Sequence, residues 1–288
     1  MMRLLVRRRG CKTPATGSTG AGDSSNTFIR FHFTGSLELL LLALDDYAMT
    51  QDAATLLSNM PMIDAVLTFF RTRFPHRDPK TGKTDMFPAQ ALETHQCPDP
   101  TSRTKCATNP STDVSGLRAV LTRLLALPKA LSFLSSTMRA AWQQQLDALP
   151  ELQFDQASGA ILPVAPGYSL GDHNSENTEL YPVHPFRIYG SGKPGLDTAL
   201  STYKARKHPC NNGWCQDVVD AAMLGLRDDA KSQVLGRAQS KAEFRFAGFA
   251  GHMQDYEPSA DHFSFMRTAM HYMVGPQVME WQRSTVVW

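Results

Sequence analysis

Helical periodicity dominates this sequence of 288 residues and limits what it can fold into. The first apolar face carries Leu37, Leu40 and Leu44 at three- and four-residue spacing, and the alternation typical of strands is almost absent along the chain. Such segments recur about nine times, which predicts an all-α domain. The predicted helices span 36–50, 52–74, 112–127, 129–149, a short turn after 177, 195–207, 214–226, 228–240 and 261–280.

The start of the chain has a different composition. Residues 1–30 are first basic and then rich in Gly, Ser and Thr, with no acidic residue before Asp23. Such a segment cannot build a core, so we predict disorder at 1–30 and one helical domain at 31–288. The segment fits an organellar transit peptide or the false start of a truncated gene model. The compartment stays open, with a secreted or organellar location favoured over the cytoplasm.

Composition narrows the class of partner. Hydrophobic residues make up 42% of the chain and charged residues 19%, as in soluble globular proteins. A net charge of +2 without a basic patch argues against nucleic acid as a partner. No apolar run reaches the ~18 residues of a membrane span. No P-loop, dinucleotide-binding or HExxH motif occurs, so we expect neither a cofactor nor a metal.

Two close cysteine pairs offer short cross-links. Cys97 and Cys106 flank a loop rich in Pro, Ser and Thr. Cys210 and Cys215 flank the sequence Asn-Asn-Gly-Trp. Either pair can close a small disulfide loop in an oxidising compartment or remain as free thiols. Cys11 would then be left over, and the spacings do not suit zinc.

One stretch, 172–190 (DHNSENTELYPVHPFRIYG), concentrates polar side chains between apolar anchors. Asn177 or Thr178 can cap a short helix, which Pro182 would end because proline lacks the backbone donor. A polar cluster at the head of a broken helix is suited to hold a ligand with many hydroxyls. The alternative is a hydrophilic loop between two core helices.

Two carboxylates in this stretch need a partner. Glu176 and Glu179 are three residues apart and would share a face of a continuous helix. They repel each other unless a cation or a hydroxyl-rich ligand lies between them. Arg187 and His173 are the local candidates for the cation.

Five segments of the chain resemble one enzyme family. They are PAQALET (88–94), STDVSGLRAVLTRLLALP (111–128), HNSENTELYPVHPFRIYG (173–190), CNNGWCQD (210–217) and MQDYEPSADHF (253–263). In this order they are similar to relatives of glycoside hydrolase family 95, the α-L-fucosidases and α-L-galactosidases. The resemblance extends from residue 31 to residue 274 and implies a six-hairpin glycosidase with an (α/α)6 barrel. With about nine of its twelve helices present, the barrel would be incomplete and truncated at both ends.

The resemblance also implies a pair of catalytic carboxyls. Glu93 of PAQALET matches the family's general acid, although Ala-Leu stands here where the family has Ser-Pro. An apolar loop suits that role because it favours the protonated form of the acid. Asp261 matches the family's general base, which would activate water for a reaction with inversion. The plain alternatives are a loop carboxylate at Glu93 and a helix N-cap at Asp261.

The other candidates would bind the substrate, which the resemblance makes an oligosaccharide or another glycoside. Trp214 offers a flat face for a sugar ring, while amide and carboxylate side chains can hydrogen-bond its hydroxyls. The expected substrate-binding residues are His173, Asn174, Glu176, Asn177, Glu179, Tyr181, Trp214, Gln216, Asp217, Gln254 and Asp255.

Two other functions remain open. The chain is alternatively a catalytically inactive, truncated all-α domain that binds sugar, because the asparagines that assist the family's base precede the matched region. It is otherwise a helical interaction domain without a ligand. An open barrel would expose an apolar flank of the 36–50 helix, so we predict that the chain alone aggregates or forms oligomers.

Overall fold

The computed structural model describes residues 26–210 and 215–239, and this part of the chain is helical. Its elements are α1 (Thr34–Thr50), α2 (Ala53–Arg73), α3 (Ser111–Ala126), α4 (Ser136–Asp147), a 3-10 turn (Thr178–Leu180), α5 (Leu196–Ala205), α6 (Asp217–Met223) and α7 (Arg227–Gln239). Apart from isolated antiparallel bridges, these two ranges contain no strand. The all-α prediction is therefore confirmed there. The helix predicted at 261–280 and most of the 1–30 segment lie outside the described residues.

Two helices have different bounds from those predicted. α4 begins only at Ser136, because Ser135 caps it by accepting a hydrogen bond from Met138 N (3.1 Å). The helix predicted at 214–226 begins later, and α6 ends at Met223. There Gly225, with φ at +78°, turns the chain into α7.

The helices α1 and α3 lie side by side and run in the same direction. At their N-terminal ends, the Thr34 hydroxyl donates a hydrogen bond to Asp113 Oδ1 (2.6 Å). Toward their C-terminal ends, Arg123 Nη1 donates to Asp45 Oδ1 (2.7 Å). α2 packs on α1 and α4 packs on α3, each after a short connection that reverses the chain. The N-terminal half is thus two helical hairpins joined through α1 and α3.

Apolar side chains between these hairpins form the larger core cluster. Leu37 and Leu40 of α1 and Leu117 of α3 are almost completely buried in it. Gly116 allows the Phe186 ring to approach α3, because a Cβ at that position would meet Phe186 Cζ at 2.7 Å. The segment after the 3-10 turn is therefore packed directly onto α3.

One helix in the described ranges, α2, is long and apolar enough to cross a membrane by length and composition. This evidence is weak, because the core helices of soluble proteins pass the same test. Leu56, Ile63 and Leu67 of α2 pack into the larger core cluster, and Asp64 interrupts its apolar surface. The absence of a membrane span stays a prediction from the sequence.

The long loop between α2 and α3 is held by the buried amide of Gln90. Its oxygen accepts a hydrogen bond from Phe31 N (2.8 Å). Its nitrogen donates to the carbonyls of Phe28 and Leu92 (both 2.7 Å). The amide therefore ties the chain before α1 to the turn that precedes Glu93.

Both cysteine pairs form disulfides. Cys97 and Cys106 are paired and completely buried, directly after the turn that contains Glu93. Cys210 and Cys215 are paired in the segment between α5 and α6. The sequence left open whether these cysteines are free thiols or disulfides, and the structure has the disulfides.

An apolar surface of α1 and α2 faces outward, as predicted for the 36–50 helix. Leu39, Leu42 and Met49 of α1 are between 49% and 71% exposed. Leu57 and Phe69 of α2 are also exposed. Exposed apolar patches favour association. Association of the chain with itself stays a prediction.

Two nearby leucines of α1 should respond very differently to truncation. Leu40 is completely buried, whereas Leu42 is 64% exposed. We expect Leu40→Ala to lower the free energy of unfolding by about 2–5 kcal/mol and Leu42→Ala by less than about 0.5 kcal/mol. Urea unfolding followed by circular dichroism measures both. A large loss in Leu42→Ala would contradict the exposed position and indicate that another surface covers this face.

Candidate functional site

A cleft of about 260 Å³ lies at the N-terminal end of α3. Its walls come from residues 94–95, 155–163, 172–179 and 202–208. Ser111, the first residue of α3, holds two of these walls. Its N–H donates to Pro163 O and its hydroxyl donates to Thr178 O, both over 2.9 Å. The end of one core helix therefore sets the spacing of the cleft.

The first half of the 172–190 stretch is fixed to Thr94. His173 N donates to Thr94 O (2.9 Å), and Glu176 N donates to the Thr94 hydroxyl (3.1 Å). That hydroxyl in turn donates to the Glu176 carboxylate. Only a 3-10 turn follows, because Pro182 lacks the donor that a longer helix needs.

One amide joins Glu93 to Glu176. Asn174 Nδ2 donates to Glu93 Oε2 (2.9 Å) and, more weakly, to Glu176 Oε1 (3.4 Å). Burial raises the pKa of Glu176, and the neighbouring charge of Glu93 adds to this rise. Asn174 therefore connects the candidate acid Glu93 to Glu176, which lines the cleft, whereas the side chains of Glu93 and Asn174 do not line it.

Three basic side chains of the cleft surround Asp172. It accepts a hydrogen bond from His208 Nε2 (3.0 Å), and His95 Nε2 and Lys207 Nζ each lie 3.3 Å from its oxygens. Burial alone would raise the pKa of Asp172, but the His208 hydrogen bond and the positive charge of Lys207 lower it. Burial lowers the pKa of His95 to about 4, so this imidazole is neutral at pH 7.

Glu179 lines the cleft from the 3-10 turn and is largely enclosed by protein. Burial raises the pKa of Glu179 to about 7. The cleft thus contains an ionised carboxylate, Asp172, and a carboxyl that is partly protonated at neutral pH. Carboxyls whose pKa values are driven apart in this way are the ones that acid–base chemistry uses.

Two predicted substrate residues support the cleft from behind. Asp217 is buried, and its carboxylate accepts hydrogen bonds from Arg206 Nε (2.6 Å) and Asn177 Nδ2 (3.1 Å). Asn177 also donates to His208 O (3.0 Å) and accepts from His208 N (3.2 Å). Neither side chain lines the cleft, but together they fix the position of His208.

The cationic partner considered for the two glutamates is not Arg187. Its Nη2 binds Asp45 Oδ2 (2.6 Å), beside the C-terminal ends of α1 and α3, whereas the cleft lies at the N-terminal end of α3. Glu176 and Glu179 also do not lie on one continuous helix, the condition under which they would share a face. The 3-10 turn begins at Thr178, so Glu176 precedes it in irregular chain.

The other predicted residues are placed as follows. His173 is exposed beside the cleft. Tyr181 is buried in the core and is hydrogen-bonded to the side chain of Gln216. Trp214, Gln254, Asp255 and Asp261 lie outside the described residues.

The cationic side of the cleft is absent from the sequence prediction. His95, Lys207 and His208 all point to Asp172, although they come from two distant parts of the chain. The available signals were the position of His95 two residues after Glu93 and the basic run at 204–208. Within the described ranges, no group of three potential metal ligands occurs.

Comparison with known proteins adds no assignment. Neither a protein-family model nor a curated protein matches the chain. The resemblance to family 95 rests on the five segments named above, and the chemistry of the cleft rests on its own geometry.

Replacing Glu179 with glutamine should remove a pH-dependent cost of folding. The pKa of Glu179 is raised from 4.5 to about 7, so the folded chain holds this proton more tightly than the unfolded chain. Its contribution to stability is therefore most favourable below pH 4.5 and declines as the pH rises to about 7. We expect Glu179→Gln to be more stable than the wild type at pH 8, by up to about 2–3 kcal/mol, and equally stable at pH 4.

Urea unfolding of both proteins at pH 4 and pH 8 measures this difference. Glu151→Gln is the matched control, because the Glu151 side chain is 69% exposed. A stability difference that is the same at both pH values would contradict a buried, protonated Glu179.

Proposed function

We propose that the cleft binds a glycoside and that the chain belongs to a family 95-like (α/α)6 barrel that hydrolyses it with inversion. One observation carries this proposal. The hydrogen bond from Asn174 Nδ2 to Glu93 Oε2 joins residues 81 positions apart. It connects the candidate acid to the 172–190 stretch, whose polar composition predicts a site for a ligand with many hydroxyls.

The helix arrangement supports the barrel. The inner helices of such a barrel run parallel, and each is paired with an antiparallel outer helix. The parallel pair α1 and α3, with α2 and α4 packed on them, has this arrangement over two successive hairpins. The cleft lies beside the first residue of α3, Ser111, which is hydrogen-bonded to the walls at Pro163 and Thr178.

The proposed chemistry uses two carboxyls on opposite sides of the scissile bond. Glu93 accepts the Asn174 hydrogen bond at Oε2, which leaves Oε1 to carry the proton that is donated to the leaving oxygen. Asp261 removes a proton from the attacking water. Inversion requires the two carboxyls to be ~6.5–9.5 Å apart, with room for that water.

The alternative is a catalytically inactive domain that binds sugar or another partner. It needs the cleft residues Asp172, Glu176 and Glu179 but no proton transfer by Glu93. The two functions therefore differ in one measurable property, which is turnover after binding.

Glu93→Gln should separate binding from turnover. We expect kcat on 4-nitrophenyl α-L-fucoside or α-L-galactoside to fall by about 100-fold or more, because glutamine cannot donate the proton. Calorimetric titration should still detect binding of the uncleaved glycoside. Glu151 is exposed and distant from Glu93 in the sequence, so Glu151→Gln should leave kcat and glycoside binding unchanged.

Three results decide between the functions. Turnover by the wild type that is lost in Glu93→Gln supports hydrolysis. Binding of the glycoside by the wild type without turnover supports the inactive sugar-binding domain. No binding of either glycoside by the folded chain would contradict both.

A further inference from the structure

The basic side chains of the cleft are unevenly shared among its carboxyls. His95, Lys207 and His208 all lie within 3.3 Å of Asp172. Among the described residues, no cationic side chain forms an ion pair with Glu176 or Glu179. One carboxylate therefore has three basic partners, while two acidic neighbours in the same cleft have no ion-pair partner in the described part of the chain.

Asp155, which also lines the cleft, accepts hydrogen bonds from Ala157 and Ser158 of its own turn. The two glutamates are held differently. Glu176 is bound by the Thr94 hydroxyl and the Asn174 amide, which are uncharged donors. Glu179 has its own backbone N–H as its hydrogen-bond partner in the described chain, and it lines the cavity. Glu179 thus lines the cavity with a carboxyl to which no other side chain of the described residues donates a hydrogen bond, and a ligand in the cavity can supply that donor.

We propose that the glycoside bound in this cleft carries a protonated amine, and that its ammonium group pairs with Glu179. The inference rests on the proposed function and names the substrate class. An ammonium would supply the cation that the protein does not provide, and its three N–H donors could also reach Glu176.

The other charged groups around Glu179 permit this pairing. Lys207 would repel an ammonium, but its charge is offset by Asp172 at 3.3 Å. His208 donates its proton to the same Asp172 carboxylate. Beneath the cleft, Asp217 and Arg206 form an ion pair of no net charge. Asp220 on α6 is buried, and burial raises its pKa well above the ordinary value.

This pairing makes binding depend on pH in a defined direction. Glu179 must be ionised to bind an ammonium, and the pKa of free Glu179 is about 7. Its ionised fraction, and with it the affinity for the amine, should rise about ten-fold between pH 6 and pH 8. A neutral sugar has no such requirement, so its affinity should stay nearly constant over this range.

The test is calorimetric titration of the full chain with a matched set of galactosides. The ligands are methyl galactoside, its 2-amino and 6-amino derivatives, and the N-acetylated forms of both amines. The 6-amino derivative is used for the pH series because its amine stays protonated to pH 8. We expect at least one amino galactoside to bind about ten-fold or more tightly than the parent at pH 7, and its N-acetyl form to lose this advantage.

Variants assign the effect to Glu179. Glu179→Gln keeps the shape of the side chain, so the variant should bind the amino and neutral galactosides equally, with no pH dependence. Glu151→Gln should behave like the wild type. Ethanolamine, an amine without a sugar ring, shows whether the charge alone is enough. Thermal melts confirm that each variant is folded.

The outcomes separate this inference from the proposed function. If galactosides bind but neither amine binds more tightly than the parent, the amine preference is overturned and the glycoside site stands. If Glu179→Gln retains the preference, Glu179 is not the partner and the inference fails. If ethanolamine binds as tightly as the amino galactosides, the site recognises an amine and not a sugar. If no ligand binds, both proposals fail together.

Discussion

The first turn of α3 is the point on which both the core and the cleft depend. Ser111 holds the walls at Pro163 and Thr178, and two residues later Asp113 binds Thr34 of α1. Each such bond contributes only about 1 kcal/mol net, but leaving a buried partner unpaired costs about 1–3 kcal/mol. Burial raises the pKa of Asp113 to about 7, so this anchor is itself a buried, partly protonated carboxyl. Two packed helices and a ligand-sized cavity are positioned from the same turn.

The cleft concentrates groups that oppose folding. Two enclosed carboxyls without a cation, Glu176 and Glu179, have raised pKa values because protein has replaced the water around them. Natural sequences retain such costs mainly at functional sites, where a ligand later supplies what the fold omits. Asp172 provides the contrast, since three nitrogen donors stabilise its charge within the same cavity. The uneven distribution of cations is therefore the main reason to regard the cleft as a site and not as a packing defect.

Sequence periodicity predicted most of the helices in the described part of the chain. The apolar faces of α1 and α3 repeat at helical spacing, and Pro182 limits the 3-10 turn, so these features could be read locally. Proximity in space could not be read in this way. No sequence pattern indicates that Lys207 and His208 contact Asp172. The hydrogen bond from Asn177 to Asp217 is equally invisible in the sequence. These contacts depend on how α5 and α6 pack. The pairing of Arg187 with Asp45 was missed for the same reason.

The two disulfides have a consequence for where this cleft can exist. Cys97–Cys106 follows the turn that carries Glu93 and His95, and Cys210–Cys215 follows Lys207 and His208. Each bridge closes a short loop, so it removes conformational freedom mainly from the few residues beside it. Those residues hold the acid on one wall and the cations on the other. A thiol-rich reducing environment would loosen both walls together while leaving the helical hairpins intact. The two bridges thus constrain the chain next to opposite sides of the cleft, and reduction would remove that constraint.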